Sequence, residues 1–142
     1  HLHTDEKIIV AYRIGDRYRR DALHKLNKFL RDFRTGDAAV MDPKLFDLLY
    51  EINRRLGHTD GSFEIVSAYR SPRTNAMLRK TSRGVARNSL HMSGKALDIR
   101  FSSTSTRRIR DSAVSLRRGG VGFYPRSDFV HVDTGSVRRW GA

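Results

Sequence analysis

The chain has 142 residues, 28 lysines and arginines against 15 acids, a formal net charge of +13 and no cysteine. That length buries a core without staples, so a single domain spanning residues 1–142 is expected. Disulfides, thiolate nucleophiles and cysteine-based zinc sites are excluded, and no apolar run approaches membrane-spanning length, the best being residues 8–11.

Residues 7–13 (KIIVAYR) read as a strand by their Ile, Val and Tyr content. Gly15-Asp16 then turns into a segment with Tyr18, Ala22, Leu26, Phe29, Leu30 and Phe33 at helical spacing. Asp42-Pro43 offers an N-cap and a proline at the first helical position; Leu45, Leu49, Ile52 and Leu56 form one stripe, and Gly57 stops the helix. Both helices are read as core packing. Residues 63–70 form a second strand ending in Arg70, Ser71-Pro72 starts a short helix through Met77 and Leu78, and residues 79–88 form a basic surface loop. Residues 96–101 alternate as a strand does, and Ile109, Ala113 and Leu116 outline a helix closed by Gly119-Gly120. Two short strands, 121–124 and 129–133, make a hairpin about Pro125-Arg126-Ser127, and Trp140 is expected to close the core. The predicted fold class is α+β, a mostly antiparallel sheet flanked by helices.

The chemistry gathers in Ser89-Leu90-His91-Met92-Ser93-Gly94-Lys95-Ala96-Leu97-Asp98. Ser93-Gly94 disfavours a helix and offers a turn, which brings an imidazole and a carboxylate together across it. A catalytic zinc site takes three protein ligands and leaves a fourth position for water, and His131 in residues 128–135 is the candidate third ligand. The remaining histidines, His1, His3, His24 and His58, read as surface residues.

Four motifs resemble the M15 zinc peptidases: Ser67-x-Tyr69-Arg70-Ser71, Ser89-x-His91-x6-Asp98, residues 119–124 (GGVGFY) and residues 129–135 (FVHVDTG). More narrowly they are similar to the branch of the bacterial murein endopeptidases K, and the resemblance runs from about Leu2 to Trp140. It implies the fold of the lysostaphin-type, D-Ala-D-Ala-peptidase and hedgehog proteins. It further implies Zn2+ bound by His91, Asp98 and His131, cleavage of peptide cross-links in peptidoglycan, and residence in the periplasm or cell envelope. On this reading the protein is exported, its signal absent from this chain, and acts as a monomer on peptidoglycan peptide stems. The alternatives are a D,D- or L,D-carboxypeptidase on the same scaffold and a zinc-bearing wall-binding module without turnover.

Two carboxylates compete for the role of general base. Asp128 stands three residues before His131, where sister branches carry an acid; Asp133 shares a strand face with His131 and is narrowly preferred. A carboxylate beside a metal ligand can instead orient that ligand. The resemblance sets Arg70 against a substrate carbonyl or carboxylate, the alternative being an arginine paired with a structural acid. Ser89 orients the loop or touches substrate, and Tyr124 lines the cleft or packs. The charge of +13 favours a polyanionic partner: nucleic acid, anionic lipid or a wall polymer bearing carboxylates and phosphates. The arginines are spread along the chain and no nucleic-acid module is recognised, so nucleic acid is not expected as a partner.

Overall fold

The computed structural model describes residues 1–58 and 62–141. Seven strands and four α-helices follow in chain order: β1 (Arg13–Ile14), β2 (Arg17–Tyr18), α1 (Arg20–Phe29), α2 (Lys44–Leu56), β3 (Glu64–Ser67), α3 (Pro72–Thr81), β4 (Ala96–Arg100), α4 (Thr106–Leu116), β5 (Gly120–Tyr124), β6 (Phe129–Asp133) and β7 (Arg138–Trp140). A 3-10 turn, Leu90–Ser93, precedes β4. The main sheet has the order β3-β4-β6-β5-β7 and is antiparallel except for the β5–β7 pair. The arrangement is α+β, as expected.

Period-two alternation divides this sheet into two faces. Leu97, Ile99, Val130, Val132, Val121 and Phe123 point to one side, where they join Leu45 and Ile52 of α2 and Ile109 and Ala113 of α4 in a single core. α4 lies on β5 and β6, and α2 packs against α4. The opposite face carries the polar residues. Register aligns Ser67, Asp98, His131, Gly122 and Trp140 in one row across all five strands. That row positions the site.

Several elements depart from the sequence expectation. Residues 7–12 are not a strand, because β propensity needs a partner and the β3 edge receives one amide there, from Leu2 to Ile65. Instead the short β1–β2 hairpin is pinned to α2 by Asp47, which accepts from the hydroxyls of Tyr12 and Tyr18 and pairs with Arg13. α1 ends at Phe29, and Phe33 stacks on His3. α3 runs to Thr81, further than expected, capped by the Ser71 hydroxyl accepting from the Thr74 amide. α4 is closed by Arg117 in the left-handed region, so Gly120 is free to open β5.

Candidate metal centre

The local build starts at Ser89, whose Oγ accepts from the His91 amide at 3.2 Å and so starts the 3-10 turn. Gly94 ends it at φ 69°, with the Val40 carbonyl seated where a Cβ would project; only glycine fits both demands. The chain then enters β4, and the register with β6 sets Asp98 opposite His131. A turn therefore carries His91 back over Asp98, here in 3-10 form.

Three ligand atoms meet. His91 Nε2 lies 3.2 Å and His131 Nδ1 lies 3.0 Å from the same oxygen, Asp98 Oδ1, and the three groups offer atoms all within 4.8 Å of one another. The far nitrogens settle the tautomers. His91 Nδ1 faces the Ala68 carbonyl at 2.7 Å and must donate; His131 Nε2 faces Asp133 Oδ2 at 2.8 Å and must donate. In the neutral rings both remaining lone pairs then aim at a carboxylate oxygen. That arrangement is repulsive until a proton or a metal ion stands between them. Ligands at zinc distances on a tetrahedron sit about 3.3 Å apart, so the spacing and the N,N,O donor set fit zinc. Burial alone would push Asp98 up, but the two imidazoles hold it well below the usual carboxylate range. His131 is pushed down by burial and drawn up further by hydrogen bonds to Asp133 and Asp98, ending above its ordinary value.

Behind His131 stands a second polar layer. Asp133 has no exposed surface, and both of its oxygens are filled. Oδ1 accepts from the amides of Gly120 and Gly135, each at 2.9 Å, and from Arg138; Oδ2 accepts from His131 and from Arg138 at 2.9 Å. Burial raises its pKa less than these donors lower it, so Asp133 is held well below the usual carboxylate range. Gly120 and Gly122 leave room on this face: a Cβ on Gly120 would strike Arg138 and Asp133, and one on Gly122 would strike the Trp140 indole. Trp140 lies 5.1 Å from the His131 ring and donates from Nε1 to the Tyr124 hydroxyl at 2.8 Å.

The family model described as peptidoglycan L,D-endopeptidase MepK, of the M15_2 peptidases, matches residues 1–140. The chain belongs to this family. Its curated relatives include the probable peptidoglycan L,D-endopeptidase MepK of Haemophilus influenzae, 44% identical over 98% of this chain and 75% of the relative. The peptidoglycan L,D-endopeptidase MepK of Escherichia coli K12 is 46% identical over 98% of this chain and 76% of its own length. No solved structure matches the chain.

Within this M15 peptidase fold the remaining site candidates fall in different places. Arg70 follows β3 and is tied to the metal turn, its amide donating to the His91 carbonyl at 3.1 Å. Its guanidinium has no acid within ion-pairing distance among the described residues; it donates weakly to Asn75 Oδ1, and its buried Nε has no acceptor. Burial lowers its pKa and nearby Asp98 opposes that. Ser89 caps the metal turn. Tyr124 stacks on Phe129 at 4.6 Å and receives Trp140. Asp128 stands apart from the His-Asp-His group: it occupies the left-handed region at φ 56°, is 64% exposed, and lies 4.0 Å from Arg100, which shares the site face of β4 with Asp98. Arg138 and Trp140 were not anticipated as site residues. Trp140 sits on the polar face of the sheet rather than closing the core. The available signal was Arg138-x-Trp140 against Gly120-x-Gly122, two large residues facing two absent side chains.

Proposed function

We propose that this chain is a zinc-dependent murein endopeptidase that hydrolyses L,D peptide cross-links in peptidoglycan, working in the periplasm or cell envelope. The carrying observation is the pair of histidine lone pairs converging on one oxygen of Asp98, in a chain of the M15 family whose relatives are named for that activity. Zinc held by His91, Asp98 and His131 supplies a Lewis acid and a bound water acidic enough to ionise near neutrality.

The chain's own groups do the rest. The Ala68 carbonyl fixes the His91 ring, and Asp133, clamped by Arg138, fixes the His131 ring and raises its basicity as a ligand. An enclosed carboxylate with both oxygens filled has no lone pair to turn towards water. We take Asp128, whose carboxylate is exposed, as the base in preference to Asp133. In this reading Asp128 takes the proton of the attacking water and delivers it to the leaving amine. Arg70, desolvated and without an acid partner, meets a carbonyl or carboxylate of the peptide stem. Trp140 and Tyr124 wall the site beside His131.

The unfilled Arg70 also suits a carboxypeptidase, since a terminal carboxylate is the natural acceptor for a buried guanidinium. Digestion of purified peptidoglycan with mass analysis of the released muropeptides separates the two. Loss of cross-linked dimers with intact stem termini is expected. Shortened stems with dimers retained would identify a carboxypeptidase, and unchanged sacculi with bound zinc a binding module.

A further inference from the structure

From residue 65 to residue 97 the chain contains seven lysines and arginines and not one aspartate or glutamate, so over half of its +13 charge lies in that stretch. Five of the seven, Arg73, Arg79, Lys80, Arg83 and Arg87, are exposed along α3 and the loop that follows it. None has an acid within ion-pairing distance among the described residues. Elsewhere among the described residues, unpaired arginines such as Arg17, Arg107 and Arg117 are interspersed with ion pairs, as in Arg13 with Asp47, Arg31 with Glu6 and Arg100 with Glu64; residues 65–97 hold no acid at all.

Stability does not account for this ridge. Arg79 and Lys80 in the last turn of α3 suit the helix dipole, but Arg73 in the first turn opposes it, where an acid would be stabilising. The ridge is also anchored to the site. Asn75, almost fully buried, donates from Nδ2 to the Ala86 carbonyl at 3.0 Å while its Oδ1 receives Arg70. The basic loop is thus held beside the arginine that adjoins the metal turn.

We infer that the ridge of Arg73, Arg79, Lys80, Arg83 and Arg87 is a docking surface for the carboxylates of the peptidoglycan network, gripping stems beyond the one being cut. The inference rests on the peptidoglycan reading above. A carboxylate-bearing polymer matches the ridge in sign, and Asn75 links the loop to Arg70, whose amide bonds the His91 carbonyl. An anionic membrane is the weaker match, because interfacial docking buries an apolar face and Met77 is the one large apolar side chain exposed on α3.

The test is co-sedimentation of the zinc-loaded protein with purified sacculi in the cold, alongside cleavage of a soluble cross-linked muropeptide dimer. Replacing Arg79, Lys80, Arg83 and Arg87 together by glutamine is expected to weaken sacculus binding about tenfold or more at low salt and to flatten its salt dependence. Cleavage of the soluble dimer is expected to stay at the wild-type rate. Arg83→Gln alone, in a loop, covers the case of a misfolded quadruple variant and is expected to weaken binding about twofold. Binding unchanged in the folded variants would overturn the inference. So would wild-type protein that binds sacculi equally well after their carboxyls are amidated, or that prefers phosphatidylglycerol vesicles to sacculi. Sedimentation needs no turnover: wild-type protein that binds sacculi but leaves the dimer uncut sinks the peptidase reading and spares the ridge.

Discussion

Trp140 occupies the space that a side chain on Gly122 would need, a Cβ there meeting the indole at 2.5–2.7 Å. The two residues are register partners across the parallel β5–β7 pair, and the indole beside them reaches His131. Gly122→Ala is therefore expected to displace the indole. The chain has one tryptophan, so its emission reports this directly as a red shift, with overpacking costing about 1–3 kcal/mol in urea unfolding. An unshifted spectrum would show that the ring does not depend on the glycine.

The enclosed Asp133 and the exposed Asp128 have separable signatures. Asp133→Asn is expected to lower zinc affinity by about 10–100-fold, read by competition with a chelating dye, because His131 loses its charged partner. Asp128→Asn is expected to keep its zinc and lose about 10²–10⁴-fold in kcat. The reverse pattern, with Asp133→Asn fully metallated but inert, would return the base role to Asp133.

Zinc should stabilise the fold as well as enable cleavage. Metal bound only by the folded chain adds about 2.7 kcal/mol at a hundred times Kd. Thermal melts across a zinc series should move upward continuously, and His91→Ala should abolish the trend. A melt indifferent to zinc in the wild type speaks against a site at these residues.

Asp32 supports Arg70 from a distance. It is buried, and it accepts at 2.9 Å from the amide of Ser71, the N-cap of α3, and from that of Arg34 in its own loop. Burial pushes its pKa up, but hydrogen bonds from Thr74, Ser71 and Arg34 outweigh that and leave it below the ordinary value. A folded pKa below the unfolded value of about 3.9 means the contribution is complete above that pH and is lost as pH falls through the folded pKa. In metal-free protein, Asp32→Asn should lose about 1–3 kcal/mol at neutral pH and show a flatter acid limb in urea titrations. Parallel acid limbs for the two proteins would exclude this role.

What the sequence made legible was what depends on local pattern. The stripes of α2 and α4 and the hairpin of β5 and β6 follow from spacing and turn chemistry among neighbours. His91 and Asp98 were joined by a turn that Ser93 and Gly94 announce. What stayed hidden depends on distant partners. Residues 7–12 have strand composition but no strand beside them. β7 pairs parallel with β5, a contact without a local signal, so Arg138 and Trp140 could not be placed. Period two put Asp133 on the face of His131 but could not reveal that Gly120, Gly135 and Arg138 enclose it.

The Arg70 amide bonds to the His91 carbonyl, and the His91 ring bonds to the Ala68 carbonyl, so two short links stitch the end of β3 to the 3-10 turn. The guanidinium and the imidazole thus ride on the same few backbone atoms. Under the proposed role of Arg70, their separation would act as a calliper, setting the span between an anchoring oxygen and the bond to be broken.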